Sequence, residues 1–166
     1  MAAGPDLLPD HDISDRTKAI LAQVGGEATR RGVAPAEPQD VLRAILLEGQ
    51  GIACAALDGL GADRAALLAV ASLAPTERPS IPPRQAGTDD SLPLGLLRAA
   101  NLEATALGHR YVGTEHLLLA LASPQYPAVA RLLAEHGVTL AAARAMIAEL
   151  LGRQLSAPLT GRLRSV

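Results

Sequence analysis

The chain has 166 residues, 49% of them hydrophobic and 19% charged, with a formal net charge of −2 at pH 7. A packed core is within reach at that length and composition, while the balanced, dispersed charge argues against a polyanion-binding protein and against wholesale disorder. Two tyrosines, no Phe and no Trp leave almost nothing for nucleic-acid bases to stack on, and a single cysteine excludes an internal disulfide framework.

The N-terminal segment, residues 1–12, reads as a flexible lead-in. It has no basic region followed by a long apolar run, so it does not read as a signal peptide, and His11 in it reads as solvated. Ser14 then caps a helix whose apolar stripe is Thr17, Ile20, Leu21, Val24 and Ala28, with Gly32 as its stop. A short helix follows on Val41, Leu42, Ile45 and Leu46. A third carries Ile52, Ala56, Leu57 and Leu60 and stops at Gly61. Asp63 caps a fourth bearing Leu67, Val70 and Leu73. Cys54 lies on the third helix among alanines and reads as a small buried apolar residue.

From Ala74 to Pro93 the chain holds five prolines, which fix φ and lack the amide hydrogen, so residues 75–90 are assigned to a linker. Asp90 or Ser91 then opens a helix with Leu94, Leu97 and Ala104, ended by Gly108. Thr114 caps a helix with Leu117, Leu118 and Leu121. Pro127 starts the next, with Val129, Leu132 and Leu133, ended by Gly137. Thr139 caps the last, with Leu140, Ala143, Ile147, Leu150 and Leu151. The tail, 153–166, reads as a frayed end. No segment alternates with period two, so strands are not expected. The longest apolar stretch, near Leu117 to Ala122, is far short of a membrane span.

These helices fall into two copies of one unit. Glu27-Ala28-Thr29 lies over Glu103-Ala104-Thr105 at an offset of 76 residues (103 − 27), and Gly32, Leu42, Leu57 and Gly61 meet Gly108, Leu118, Leu133 and Gly137 at the same offset. The units are set at 13–74 and 91–152, and the fold class is all-α.

One string in the second unit points to a family. Leu107-Gly108-His109-Arg110-Tyr111-Val112-Gly113-Thr114-Glu115-His116-Leu117-Leu118-Leu119-Ala120-Leu121 closely resembles the L-G-H-x-Y-[IV]-G-T-E-H-[IL]-L-L-[GA]-L core of the Clp N-terminal repeat, the client- and adaptor-receiving domain of Clp/Hsp100 unfoldases. Glu48-Gly49-Gln50-Gly51-Ile52-Ala53 is similar to that family's E-G-x-G-[IV]-A, and Ala130 to Leu133 followed by Gly137-Val138 to its helix ending in L-G-V. The resemblance covers about 140 residues and implies two tandem four-helix repeats packed as a pseudo-two-fold single domain. It departs in three places. The first unit has Glu37-Pro38-Gln39-Asp40 where the second has G-T-E-H. Ile13 and Asp89 stand where the family's repeats commonly open near an aromatic. After Leu151 too little chain follows for the ATPase modules of the family, so a stand-alone module is expected.

In the ClpC branch of this family the G-T-E-H glutamate lines a pocket for phosphorylated arginine. The resemblance therefore implies a ligand or client site at Thr114 and Glu115, with His109, Tyr111 and His116 in support. The chemistry suits that: a carboxylate accepts from a guanidinium, and amides at a helix start receive phosphate. Thr114 is equally a good N-cap and Glu115 equally suits the positive end of a helix dipole, and neither needs a ligand for that. Gln39 in the first unit lacks the carboxylate. His109, His116 and His136 are seven and twenty residues apart and do not share a helical face, so no metal site is assigned; His109 and His116 read as structural, tying a loop carbonyl to a helix end. No catalytic residue and no cofactor are assigned; neither G-x-x-x-x-G-K-[ST] nor G-x-G-x-x-G occurs, so a nucleotide site of either kind is unsupported.

The reading that results is a non-catalytic protein-binding module of the Clp proteolysis system, in the cytoplasm, whose partners are client proteins or a Clp/Hsp100 ATPase, with no nucleic acid and no membrane. One alternative is a protein that sequesters a peptide-like small molecule. Another is an enzyme that has reused the scaffold, with Glu115, His109, His116 and Tyr111 as its candidate groups.

Overall fold

A computed structural model describes residues 12–31, 37–73 and 92–156. The linker at 75–90, the stop at Gly32, the starts at Asp90 and Ser91, His11 and most of the two ends lie outside the described residues. The chain is all-α. Within the described residues eight helices follow one another: α1 (Asp15–Arg31), α2 (Pro38–Glu48), α3 (Gly51–Gly59), α4 (Arg64–Ala71), α5 (Leu92–Ala106), α6 (Thr114–Leu121), α7 (Pro127–Glu135) and α8 (Leu140–Ser156). Three helix starts recur at the spacing of the sequence repeat: Pro38 and Thr114, Gly51 and Pro127, Arg64 and Leu140 are each 76 residues apart (114 − 38, 127 − 51, 140 − 64).

The caps follow the sequence closely. Ser14 Oγ accepts from the Thr17 amide at 3.2 Å, Asp63 Oδ1 from Ala66 at 3.0 Å and Thr139 Oγ1 from Ala142 at 3.2 Å. Pro93 falls within the first turn of α5, where a proline's missing amide leaves no helical bond unmade. At the other end α8 runs past residue 152 to Ser156, so the boundary drawn there cuts a helix.

The strand expectation needs correcting. Two short strands, β1 (Asp12–Ile13) and β2 (Tyr111–Val112), pair in parallel with Asp12 opposite Tyr111 and Ile13 opposite Val112. The Asp12 amide donates to Arg110 O at 3.3 Å and the Ser14 amide to Val112 O at 3.0 Å. A two-residue ladder is too short to leave an alternating pattern in the sequence. It ties the segment just before α1 to the loop that leads into α6.

The core is shared by both units. Leu42, Ile45, Leu57 and Leu67 of the first join Leu117, Leu118, Leu119, Leu121, Leu133 and Ile147 of the second in one continuous cluster, all fully buried. Helix α3 packs on α6 and α8, and α2 packs on α6 and α7. Helix α6 is enclosed throughout: all eight of its residues are buried, polar ones included. The repeat-related glutamates are anchored differently. Glu27 pairs with Arg43 of α2 at 2.8 Å, whereas Glu103 takes a two-pronged bond from Arg144 of α8, at 3.0 and 2.7 Å. No helix among the described residues is long and apolar enough to cross a membrane.

Candidate functional site

The five residues singled out from the sequence converge at the N-terminal end of α6. Tyr111 and Val112 form β2, Gly113 is the N-cap, and Thr114 opens the helix. Thr114 is thus one position inside the cap assigned to it. Gly113 takes the cap with extended backbone, φ −101° and ψ −180°, which any residue can adopt. Its glycine identity answers to space instead. A Cβ on Gly113 would lie 2.7 Å from Cδ of Glu115, so the Glu115 carboxylate folds back over the bare Cα. Thr114 faces the other way: a Cβ on Gly51 would stand 2.9 Å from Thr114 Oγ1 and 3.3 Å from Arg16 Cδ. The starts of α3 and α6 therefore touch, with Arg16 beside them and paired to Glu48 at 2.8 Å.

The two histidines meet despite their spacing. Gly108 turns the chain with φ +73°, β2 carries it back, and His109 Nδ1 comes to 2.8 Å from His116 Nε2. His116 Nδ1 accepts the Gly113 amide at 2.9 Å. An acceptor nitrogen carries no hydrogen, so neutral His116 bears its proton on Nε2 and donates it to His109 Nδ1. His116 therefore binds a loop amide, where the sequence suggested a loop carbonyl; the glycine just before the helix offers its N–H within reach of the imidazole. Tyr111 completes the group. It stacks parallel to His109 with ring centroids 5.7 Å apart and stands edge-on to His116 at 5.5 Å. His136 is not part of this cluster; its Nδ1 lies 3.0 Å from Leu132 O within its own turn of α7.

Glu115 is the electrostatic centre of the site. It is 3% exposed, and its Oε1 has no hydrogen-bond partner. That oxygen is 3.8 Å from His116 Nδ1. Burial, then the Glu115 charge and a hydrogen bond to it, push the Tyr111 phenol up to about 12, so its hydroxyl stays a donor across the physiological range.

His109, Glu115 and His116 place one potential ligand atom each within 4.8 Å of one another, a convergence the spacing did not suggest. Their arrangement is nevertheless that of a hydrogen-bond relay. Two imidazoles on a tetrahedral zinc stand about 3.3 Å apart at bond lengths of about 2.05 Å, and here the facing nitrogens are 2.8 Å apart, while the other nitrogen of His116 holds Gly113.

Sequence reasoning missed the counterpart in the first unit. There the Glu37 amide donates to Asp40 Oδ2 at 2.9 Å, the same reach-back that His116 makes. Gln39, in the place of Glu115, spends its Nε2 on Val70 O at 2.9 Å, tying α2 to the end of α4. The signal was present as an acidic residue three positions after the cap. Cys54 is buried, its thiol against Ile45 O at 3.5 Å and pushed up by burial, in keeping with a packing role.

Residues 94–162 match the family model described as the Clp repeat (R) N-terminal domain. The chain is 32% identical over 145 residues to the chaperone protein ClpB of Oceanobacillus iheyensis, covering 84% of this chain and 17% of that one. It is 32% identical over 143 residues to the negative regulator of genetic competence ClpC/MecB of Bacillus subtilis, again covering 84% and 17%. It is 33% identical over 137 residues to the chloroplastic chaperone protein ClpC3 of Oryza sativa subsp. japonica, covering 82% and 13%. The chain thus spans about a sixth of the length of the first two of these relatives, and less of the third.

Proposed function

From the premise that the chain belongs to the Clp N-terminal repeat family, we propose that it is a non-catalytic protein-binding module of the Clp system whose client-recognising group is Glu115. The observation that carries this reading is the unpartnered Oε1 of Glu115, a buried carboxylate oxygen at the start of α6. A buried acceptor left without a donor is costly, on the order of 1–3 kcal/mol or more for a charged group. A guanidinium supplies the missing donor and the opposite charge together. The amides of Thr114 and Glu115, at the start of α6, have no carbonyl partner within the helix and favour an anion beside them. Both halves of a phosphorylated arginine are answered by two adjacent residues, Thr114 and Glu115.

Tyr111 is the group such a ligand displaces. Its side of the site reaches solvent, with 37% exposure, and its hydroxyl bonds Glu115. The first unit offers no second copy, because Gln39 carries no charge and is already bonded to Val70 O. One site per chain is the expected stoichiometry.

Calorimetry against a phosphoarginine-bearing peptide tests this, with the same peptide carrying plain arginine and the Glu115→Ala variant run beside it. One site of micromolar affinity, lost in the variant, supports the reading. Heat-silent titration of the wild-type chain overturns the client role, and the remaining reading, a module that docks on a Clp ATPase as adaptor or competitor, is then decided by titrating a purified ClpC-type ATPase.

A further inference from the structure

The two units cap their second helix with different chemistry at the same place. In the first, the acceptor is the Asp40 carboxylate, 2.9 Å from the Glu37 amide. In the second, it is an imidazole nitrogen, His116 Nδ1, 2.9 Å from the Gly113 amide. A carboxylate remains an acceptor from pH 5 to pH 8, whereas an imidazole ceases to be one when it takes a proton in that range. The cap itself therefore does not need histidine. What histidine adds is a second nitrogen, engaged by His109 at 2.8 Å, and the capacity to be switched off.

We propose that His116 is a positioning residue for Glu115 and that protonation of the His109–His116 pair releases the Gly113 cap and pairs the His116 Nδ1–H with Glu115. The proton count leads there by either route. In the neutral pair the Nε2–H of His116 donates to His109 Nδ1, and His116 Nδ1 accepts from Gly113. A proton from solvent that lands on His116 can only go to Nδ1. One that lands on His109 Nδ1 gives that nitrogen a hydrogen to donate, so with the bond between the rings kept, His116 Nε2 becomes the acceptor and its hydrogen moves to Nδ1. Both outcomes set an N–H on Nδ1 facing the Gly113 N–H, and two donors cannot share that contact. The alternative acceptor is at hand, since Glu115 Oε1 is 3.8 Å from Nδ1 and has no hydrogen-bond partner. The groups placed against His116 include His109 on the loop before β2, Tyr111 on β2 and Glu115 on α6 itself. Arg16 of α1 and Glu48 of α2 form their ion pair on the Thr114 side of the helix start, against Gly51 of α3.

For binding, the consequence rests on the reading of Glu115 as the client-recognising group: the protonated pair spends the Glu115 carboxylate on the Nδ1–H of His116 and closes the site to a guanidinium.

Nitrogen-15 NMR of the full chain between pH 8 and pH 5 tests the switch on the wild-type protein, without any ligand. At pH 8 His116 Nδ1 is expected at a bare-nitrogen shift and Gly113 as a bonded amide. Towards pH 5 Nδ1 gains a hydrogen, the Gly113 amide proton moves upfield, and the two follow one titration curve while the far-ultraviolet helix signal stays constant. A bare Nδ1 at pH 5, or loss of the helix signal along the same curve, overturns the proposal. In His116→Asp, which copies the cap of the first unit, the Gly113 amide is expected to hold its shift from pH 8 to pH 5; a Gly113 shift that still titrates in that variant overturns it too. The client reading fails separately, by absent peptide binding at pH 8, where the switch is in its open state.

Discussion

At Gly113 the missing Cβ matters more than any freedom of φ. The backbone there is ordinary, and the carboxylate of Glu115 occupies the space that a methyl group would need. Gly113→Ala forces the Glu115 carboxylate, the end of a flexible side chain, to swing aside, and is expected to destabilise the chain by about 1 kcal/mol, the low end of the usual cost of an extra carbon in filled space. The cost should fall away in the Gly113→Ala, Glu115→Ala double variant, because the side chain being struck is gone. Urea unfolding of the four members of that cycle checks it, and an undiminished cost in the double variant would show that something other than the carboxylate resists the methyl group. In the sequence alone Gly113 is legible only as a residue of a family string, and Thr114 beside it is the better cap. Side-chain capping preference alone favours threonine. The competing fact, the imidazole three residues later reaching back to the Gly113 amide, is a spatial one.

At the scale of the helix, α6 differs from what its sequence pattern suggests. A stripe of Leu117, Leu118 and Leu121 implies one buried face, yet Leu119 and Ala120 are fully buried as well, as are the polar residues of its first turn. A helix that is apolar around its circumference belongs in the middle of a structure, and α1, α2, α3, α5 and α8 all pack against this one. Leu118→Ala is accordingly expected to cost about 2–5 kcal/mol, as for other fully buried leucines, measurable as a lowered urea midpoint at unchanged slope. A loss below about 1 kcal/mol would mean that the surrounding helices collapse readily onto the gap. The enclosure also explains how a carboxylate and an imidazole come to be buried side by side: the polar start of α6 is carried inward with its apolar remainder, and the site is the place where it meets the loop from His109 to Gly113.

For the molecule as a whole, the two units share their interior instead of standing as separate beads. Helix α3 of the first packs on α6 and α8 of the second, and Leu57 lies in the same cluster as Leu118. Unfolding is therefore expected to be a single transition. Leu57→Ala and Leu118→Ala, one in each unit, should move it as one, with circular dichroism and tyrosine absorbance reporting coincident midpoints. A two-step curve, with each variant moving a different step, would show that the units fold independently. The sequence by itself determined the helical class, the order of the helices, most of their caps and the 76-residue recurrence, because periodicity, capping chemistry and proline placement act within a few residues along the chain. It also brought the family into view through one contiguous string. Only the tertiary structure decided that His109 meets His116, that Asp40 and His116 make the same cap, that Thr114 touches Gly51, and that one oxygen of Glu115 is buried without a partner. Each of these depends on distance through space between groups that the sequence separates, or on solvent being excluded from them, and neither is encoded in local pattern.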